Sequence, residues 1–368
     1  MAKRVLCIVG TRPEVIKMAP IIRALRGAPG IEVSVLSSGQ HREMLVPLVN
    51  WFELGIDADL RVMTENQSLS ELSARLMRGF ESQLATSRPD LVLAQGDTTT
   101  VLCAALSCFY MNIPFGHVEA GLRTFEIRNP FPEEFNRVAV TRMSTLHFCP
   151  TERSRQNVLA EHIDPGAVHQ TGNTVIDALH FTANKLGPAA KARFDHDVLL
   201  TAHRRENFGQ PFVEIFQAVL DLCAQFPALK ILYPVHPNPN VKNLAERMLA
   251  ANPQITLTNP LDYPDLVAAM QCAKLILTDS GGIQEEAPAL SKPVLVLRAT
   301  TERPEAVEMG VAKLVGPVRS AIVAETSRLL SDSDYYGEMA RGGSPYGDGQ
   351  SADRIRNVVV DYFGRPGA

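Results

Sequence analysis

The stretch Val5-Leu6-Cys7-Ile8-Val9-Gly10-Thr11-Arg12-Pro13-Glu14 joins an unbroken apolar run to a glycine and then to a proline. An apolar run without alternation is typical of a strand that is covered on both faces of a parallel sheet. Gly10 suits a tight turn, and Pro13 suits the first turn of a helix. We therefore predict a strand–turn–helix unit, which is how a doubly wound α/β fold begins.

The same alternation continues along the chain. The predicted strands are 4–9, 32–37, 91–95, 114–118, 146–149, 198–201, 231–235, 255–257, 275–278, 294–297 and 312–315. The predicted helices are 14–26, 69–87, 99–110, 134–142, 212–226, 263–272, 283–290 and 351–363. The series restarts near residue 175, so we predict an α/β fold of two Rossmann-like domains facing across a cleft.

The composition excludes several classes of protein. The chain has 368 residues, and 36 Lys and Arg against 40 Asp and Glu give a net charge of −4, which argues against nucleic-acid binding through a general basic field. No apolar run is as long as a membrane span, and the N-terminus does not have the form of a signal peptide. The six cysteines show no C-x-x-C spacing, so we predict reduced core thiols in a cytoplasmic protein.

Helix starts after buried strands indicate anion sites in both halves, although neither half carries a dinucleotide or P-loop glycine motif. Arg12 and Lys17 flank the first start, where free backbone N–H groups favour an anion. In the second half, Ser280-Gly281-Gly282 follows a strand and suits a phosphate. Glu285 or Glu286, in the next turn, is placed to accept hydrogen bonds from ribose hydroxyls. The alternative at both places is an ordinary helix start with solvated charges and a serine cap.

Three further segments of the second half carry cations or histidines after predicted strands. His203-Arg204-Arg205 suits a diphosphate, and Arg303 precedes a helix-starting proline in the same way as Arg12. His236 lies in a rigid proline-rich loop and is the least specific of these signals.

Acidic residues lie beyond strand ends in the first half. Asp97 and Glu119 each follow a predicted strand, and Glu133-Glu134 opens a predicted helix. Ligands of open α/β sheets bind at the carboxyl edge of the strands, and carboxylates that converge raise each other's pKa values and so permit proton transfer at neutral pH. The alternatives are an N-cap role for Asp97 and a first-turn helix charge for Glu133. These features together predict a cleft enzyme that acts on a sugar nucleotide.

The chain resembles the non-hydrolysing UDP-N-acetylglucosamine 2-epimerases of bacteria. The resemblance rests on motifs that occur in the same order from residue 5 to about residue 360. They are Gly10-Thr11-Arg12-Pro13-Glu14, Gly96-Asp97-Thr98-Thr99-Thr100, His117-Val118-Glu119-Ala120-Gly121, Pro132-Glu133-Glu134, Gly172-Asn173-Thr174, His203-Arg204-Arg205-Glu206-Asn207, Asp279-Ser280-Gly281-Gly282 with Gln284-Glu285-Glu286, Thr301-Glu302-Arg303-Pro304-Glu305 and Pro345-Tyr346-Gly347-Asp348-Gly349.

The resemblance implies a GT-B fold with a Rossmann-like domain at 1–172, a UDP-binding domain at 173–350 and a last helix, about 351–368, that packs back on the first domain. It implies reversible conversion of UDP-GlcNAc to UDP-ManNAc, through elimination of UDP and re-addition to bound 2-acetamidoglucal. It also implies a homodimer, no metal or nicotinamide cofactor, and a role in surface polysaccharide synthesis.

Residue roles carried over from the family fall into three groups. The catalytic group is Asp97, Glu119, Glu133 and His203, and the group that binds UDP or substrate is Arg12, Lys17, Ser280, Gly281, Gly282, Glu286 and Arg303. A second, activating UDP-GlcNAc site would use Gln40, Glu134, Arg204 and His236. The chain departs from the family pattern around this second site, at Glu43, at Asn66 and in the segment 125–129.

Four other functions fit the same motifs. The first is epimerisation of a related UDP-2-acetamido sugar, and the second is a hydrolysing 2-epimerase that releases ManNAc and UDP. The third is a GT-B glycosyltransferase, which needs an acceptor. The fourth is a sensor that binds a sugar nucleotide without turning it over.

Overall fold

The computed structural model describes residues 2–39, 42–64 and 66–365. Two compact units make up the chain. The first unit runs to Ala178 and resumes at Tyr346, and the second runs from Leu179 to Pro345.

The first unit is a parallel sheet flanked by helices. Its strands are β1 (Lys3–Val9), β2 (Ile31–Ser37), β3 (Ala58–Asp59), β4 (Leu91–Gln95), β5 (Phe115–Val118), β6 (Leu146–Cys149) and β7 (Val168–Gln170). Its helices up to the second unit are α1 (Arg12–Arg26), α2 (Arg42–Trp51), α3 (Leu69–Ser87), α4 (Thr99–Tyr110), α5 (Glu133–Met143), α6 (Glu152–Ala160) and α7 (Thr174–Lys191), the last of which continues into the second unit.

Strand β1 lies near the centre of this sheet. Over the described residues the order is β3-β2-β1-β4-β5-β6-β7 and every adjacent pair is parallel, with Val5 of β1 opposite Val33 of β2 and Leu91 of β4. Residues 5–9 are all buried, because helices cover both faces of the sheet. The strand order is that of a Rossmann fold.

Gly10 is required at the β1–α1 junction because side chains approach it closely. A Cβ at this position would lie 2.3 Å from Ser38 Oγ and 3.1 Å from Glu14 Oε2. Gly10 is not among the glycines with positive φ, so the expectation that it serves a tight turn gives the wrong reason for it. Absence of a side chain, rather than backbone freedom, explains the glycine.

The second unit repeats the architecture. Its strands are β8 (Val198–Thr201), β9 (Ile231–Pro234), β10 (Ile255–Thr258), β11 (Leu275–Thr278), β12 (Val294–Val296) and β13 (Ala312–Leu314), in the parallel order β10-β9-β8-β11-β12-β13. Its helices are α8 (Gln210–Gln225), α9 (Pro239–Leu249), α10 (Tyr263–Cys272), α11 (Gly281–Ala289), α12 (Pro304–Glu308), α13 (Arg319–Ser331) and α14 (Ser333–Met339). Phe212, Phe216 and Tyr233 are fully buried in its core.

The last helix, α15 (Ser351–Phe363), belongs to the first unit and packs against α1. Asp177 Oδ1 accepts a hydrogen bond of 2.8 Å from the backbone N–H of Ala352, at the start of α15. The backbone N–H of Asn173 donates to the carbonyl oxygen of Tyr346 at 2.5 Å. The two segments at which the first unit ends and resumes are thus bonded to each other.

The predicted α/β fold is confirmed, and each predicted strand and helix matches an observed element to within two residues at either end. Strands β3 and β7 have only two and three residues, too few for an apolar pattern to appear. Helix α2 carries Pro47, which obscures it in the sequence. At Gly187 the backbone leaves helical geometry, with φ 62° and ψ −179°, inside α7. None of the helices in the described part of the chain has the length and apolar composition of a membrane span.

Candidate active site

Glu119 directly follows β5, at the carboxyl edge of the first sheet, and both of its carboxylate oxygens accept hydrogen bonds. Oε1 accepts from Lys17 Nζ at 2.5 Å and from Asn173 Nδ2 at 3.0 Å, and Oε2 accepts from Gln95 Nε2. Its φ of 65° lies in the left-handed region, which is uncommon for glutamate. Backbone strain of this kind clusters at functional sites, where surrounding contacts hold it.

Asp97 lies two residues beyond the end of β4. Arg137 Nε and Nη2 each lie 2.8 Å from Asp97 Oδ2, and Asn136 Nδ2 donates to the Asp97 carbonyl oxygen at 2.7 Å. Burial raises the pKa of the Asp97 carboxyl above its ordinary value, and the charges of Glu119 and Glu133 also raise this pKa, while Arg137 opposes the shift. The structure therefore brings the three acids Asp97, Glu119 and Glu133 into one cluster, which we call the acid cluster.

Glu14 is a fourth acid beside this cluster. Its Oε2 accepts hydrogen bonds from the backbone N–H groups of Gly10 and Thr11, at 2.6 and 2.9 Å, and its Oε1 accepts from the Thr98 hydroxyl at 2.7 Å. Glu14 is 2% exposed. Burial raises the pKa of its carboxyl to about 7, and the charge of Asp97 acts in the same direction. Glu14 thus fixes the β1–α1 turn to the start of α4.

Two predicted cations lie on α1. Arg12 is its first residue and is exposed, where free backbone N–H groups and the helix dipole favour an anion. Lys17 lies one and a half turns further along, and its ammonium group forms the ion pair with Glu119. Glu133 is the first residue of α5 and is half-buried.

Asp279 organises the corresponding edge of the second sheet. It is fully buried after β11, and its carboxylate accepts hydrogen bonds from the backbone N–H groups of His203 and Arg204 and from Asn207 Nδ2, at 2.8 to 3.1 Å. These contacts attach the loop after β8 to the turn that begins α11. A buried carboxylate that accepts several N–H groups is well satisfied without a separate cation.

The side chains of that loop are arranged around a pair of histidines. The His203 ring stacks on the His236 ring, with centroids 5.5 Å apart and an interplanar angle of 17°. His203 Nδ1 lies 3.4 Å from Asp279 Oδ1. Arg204 Nε is buried and has no hydrogen-bond partner within the described residues. Three of the predicted residues, His203, Arg204 and His236, therefore belong to one loop cluster of the second unit.

The Ser280-Gly281-Gly282 turn begins α11. Ser280 occupies the N-cap position but its side chain accepts no cap hydrogen bond. A Cβ on Gly281 would come no closer than 3.8 Å to Arg204 Nη2, and a Cβ on Gly282 no closer than 4.0 Å to Glu286 Oε2. Neither steric contact nor positive φ requires glycine here, and the two glycines leave no side chain over the backbone of this turn.

Two acids of α11 are buried beside that turn, and each has a partner. Glu285 forms an ion pair with Arg303, whose backbone N–H donates to Thr301 Oγ1 at 3.0 Å. Glu286 Oε1 accepts a hydrogen bond of 2.7 Å from the Tyr263 hydroxyl, and burial raises the pKa of Tyr263 well above its ordinary value. The structure thus distinguishes the two acids, since Glu285 holds Arg303 while Glu286 lies next to Gly282.

Glu134, predicted for a second nucleotide site, is bonded within the first unit. Its side chain is 2% exposed. Oε1 accepts hydrogen bonds from the backbone N–H groups of Thr124 and Phe125, at 3.0 Å each, and Oε2 accepts from Arg137 Nη1 at 3.1 Å. The structure brings Glu134 next to the acid cluster, through Arg137.

Two positions of the predicted second site are not described by the structure. They are Gln40 and the side chain of Glu43, where the sequence departs from the family pattern. Asn66 is exposed with φ 54°, and Phe125, in the segment 125–129, is exposed with φ 64°.

Several residues of the two sites have no role in the sequence-based prediction. Among them are Glu14, Gln95, Arg137, Asn173 and Asp279. Arg137 has a usable signal, since it lies three residues after Glu134 on a predicted helix, a spacing that favours an ion pair. Gln95 and Asn173 carry no such signal, because their contacts with Glu119 span 24 and 54 residues of chain.

Within residues 2–39, 42–64 and 66–365, no group of three or more His, Cys, Asp or Glu side chains is arranged to hold a metal ion. All six cysteines are free thiols, five of them buried. The chemistry that the described side chains offer is proton transfer by carboxyl groups in the first unit and anion binding by backbone N–H groups and cations in the second.

Comparison with known proteins identifies the family. The family model described as UDP-N-acetylglucosamine 2-epimerase matches residues 23–360. The UDP-N-acetylglucosamine 2-epimerase of Escherichia coli (strain K12) is 47% identical over 97% of this chain and 98% of its own length.

Two solved structures are similar over nearly the whole chain. The UDP-GlcNAc 2-epimerase from Neisseria meningitidis, bound to UDP-GlcNAc, is 42% identical, with a TM-score of 0.90 over 97% of this chain and 100% of its own. The enzyme from Methanocaldococcus jannaschii, in complex with UDP-GlcNAc and UDP, is 31% identical, with a TM-score of 0.81 over 97% of this chain and 99% of its own. The predicted GT-B fold is confirmed, and the chain belongs to the UDP-N-acetylglucosamine 2-epimerases, a family of isomerases.

Proposed function

We propose that the chain interconverts UDP-GlcNAc and UDP-ManNAc without net hydrolysis. The observation that carries the proposal is the acid cluster at the carboxyl edge of the first sheet, in which Asp97 and Glu119 are held by Arg137 and Lys17. Epimerisation at C2 needs groups that take a proton from one face of the sugar ring and return one to the other face. A carboxyl group with a raised pKa, such as that of Asp97, suits this task near neutral pH.

The proposed reaction proceeds by elimination and re-addition. A base removes the C2 proton while the C1–oxygen bond breaks, which gives 2-acetamidoglucal and UDP. UDP then adds back at C1 as C2 receives a proton on the opposite face, so the atoms balance without an oxidant or water. The C2 proton is only weakly acidic, so groups that stabilise the departing diphosphate assist its removal. We assign proton transfer to Asp97, Glu119 and Glu133.

Nucleotide binding is assigned to the second unit, with cations of the first. We propose that the backbone at Ser280, Gly281 and Gly282 binds phosphate. Glu286 accepts hydrogen bonds from the ribose hydroxyls. Arg303, which is oriented by its ion pair with Glu285, is assigned to UDP binding. Arg12, Lys17 and His203 are assigned to the diphosphate. The bound UDP-GlcNAc of the Neisseria meningitidis relative supports this class of ligand.

Three further assignments rest on the family resemblance. We propose an activating UDP-GlcNAc site with Glu134, Arg204, His236 and Gln40, a homodimer, and a role in surface polysaccharide synthesis. Five of the six cysteines are buried free thiols, which supports a reducing, cytoplasmic location.

The deciding experiment is proton NMR of the purified protein with UDP-GlcNAc alone. We expect UDP-ManNAc to accumulate to an equilibrium mixture, with UDP intact on both sugars. Free ManNAc and UDP as the main products would show a hydrolysing enzyme. Turnover only after addition of an acceptor would show a glycosyltransferase, and binding without product would show a sensor. Faster turnover of a related UDP-2-acetamido sugar would identify a different substrate.

A further inference from the structure

Arg137 joins two carboxylates of the first unit, that of the half-buried Asp97 and that of the buried Glu134. It belongs to α5, and its guanidinium donates Nε and Nη2 to Asp97 and Nη1 to Glu134. The side chain of Arg137 is 10% exposed and that of Glu134 is 2% exposed. An arginine held on both sides in this way has little freedom to turn, because its planar fork is fixed by two partners.

Glu134 fixes the far side of the guanidinium to the backbone. Its second oxygen accepts the N–H groups of Thr124 and Phe125, so the carboxylate cannot move without breaking two further hydrogen bonds. The neighbouring Asn136 donates to the carbonyl oxygen of Asp97 from the same helix. Helix α5 therefore holds both the main chain and the carboxylate of Asp97.

Arg137 is also the main positive charge next to Asp97. The charged and titratable groups around Asp97 come from α1, from β5 and the residue that follows it, and from α5. They are Glu14 and Lys17 of α1, His117 at the end of β5 with Glu119 after it, and Glu133, Glu134 and Arg137 of α5. Lys17 is bonded to Glu119, and burial lowers the pKa of His117 to about 3, which leaves it neutral. Arg137 is thus the cation that opposes the effect of burial and of the neighbouring acids on Asp97.

We propose that Arg137 is a positioning residue for the reaction, which holds the Asp97 carboxylate in its orientation and favours its ionised form. The proposal rests on the proposed function in that Asp97 acts on the substrate. The contact of Arg137 with Asp97 does not depend on it. Arg137 itself contacts the acid and not the sugar, so its removal changes the rate through Asp97.

The test compares Arg137→Gln with the wild type by two readouts. The first is the titration of the Asp97 side chain, followed by carbon NMR of carboxyl-labelled aspartate and assigned with Asp97→Asn. Loss of an adjacent arginine raises a carboxyl pKa by about 1–3 units, and we expect a rise of this size. The second is the pH dependence of kcat, whose acid limb we expect to move to higher pH by a similar amount, with little change in KM.

Two companion variants separate positioning from general damage. Arg137→Lys keeps the charge but not the fork, so we expect a smaller shift and partial recovery of kcat. Arg354→Gln removes a second arginine–aspartate pair of the same unit, in which Arg354 donates to both carboxylate oxygens of Asp348 at a more exposed position. Because Arg354 lowers the pKa of Asp348 to about 2, this variant should shift Asp348 and leave Asp97 unchanged.

The outcomes are distinct from those of the proposed function. An unchanged Asp97 titration in Arg137→Gln would overturn the proposal, and so would an equal shift of Asp97 in Arg354→Gln. A wild-type protein that does not epimerise UDP-GlcNAc would contradict the proposed function, while the carbon NMR titration would still decide whether Arg137 sets the charge of Asp97.

Discussion

Glu119 combines a left-handed backbone with a carboxylate that accepts three hydrogen bonds. A carboxylate held in this way is fixed in place and can act on a bound substrate without reorganisation. Asp97 is held differently, by one guanidinium on a single oxygen. The two acids are therefore the residues whose loss should affect the reaction most.

We expect Glu119→Gln and Asp97→Asn each to lower kcat by about 10²–10⁴-fold, the usual contribution of a positioned acid or base. The measurement is the initial rate of UDP-ManNAc formation by NMR, with circular dichroism to show that each variant is folded. Ser73→Ala serves as a control, since its hydroxyl only donates to the Leu69 carbonyl within α3. Rates near wild type for either acid variant would remove that residue from the mechanism.

Glu14 makes a pH-dependent contribution to stability. Its pKa is about 7 in the folded chain, against 4.5 when exposed. The folded state then binds the proton more tightly, so this contribution is fully present below pH 4.5 and is lost as pH rises through 7. The shift corresponds to about 3 kcal/mol. The melting temperature of Glu14→Gln should therefore increase relative to that of the wild type as pH rises from 4.5 to 8. A difference that is constant over this range would contradict the raised pKa.

Each unit has a strand-to-helix junction that carries proposed binding residues. In the first unit it consists of β1, Gly10 and α1, and in the second of β11, Ser280 and α11. Their glycines serve different purposes. Gly10 avoids Ser38, whereas Gly281 and Gly282 have room for a side chain. A substitution at Gly10 should therefore affect stability first.

We expect Gly10→Ala to lower the stability of the protein by about 1–3 kcal/mol, because its Cβ would lie 2.3 Å from Ser38 Oγ. Gly27→Ala is the matched control, since it lies at the other end of α1 with φ −80° and no atom closer than 3.5 Å to its Cβ. Thermal denaturation of both variants measures the difference. Equal melting temperatures would show that the junction relaxes easily.

At the α11–α12 region we expect Arg303→Ala to weaken UDP binding by tenfold or more, as about 1.4 kcal/mol corresponds to each factor of ten. The variant removes a group that we propose to bind UDP, and it also leaves Glu285 buried without the cation of this ion pair. Calorimetric titration with UDP gives the affinity. Arg319→Ala, which loses an exposed pair with Asp221 in the same unit, should bind UDP as the wild type does. An unchanged affinity in Arg303→Ala would argue against its role.

Sequence patterns predict the elements well where an apolar run is long enough to read. Strand β4 is buried along its length and β1 is buried from Val5 to Val9, and both are visible as apolar runs. Helices α9, α13 and α14 are missing from the prediction, since their apolar residues are interspersed with charged ones and few are buried. Contacts between distant elements, such as Asn173 with Glu119, depend on the fold and leave no local pattern.

At the scale of the whole molecule, the two units divide the proposed chemistry. The first unit contains the acid cluster, and the second contains the turn proposed to bind nucleotide. Family membership is shown by similarity along nearly the whole chain. The acid cluster carries a further claim, which is that the proposed reaction proceeds by proton transfer at C2 of the sugar.

Incubation of the enzyme with UDP-GlcNAc in D2O tests that claim most directly. If carboxyl groups exchange the C2 proton with solvent, NMR should show deuterium at C2 of UDP-ManNAc and, as equilibrium is approached, at C2 of recovered UDP-GlcNAc. Interconversion of the two sugars with protium retained at C2 of both would contradict proton transfer at that carbon.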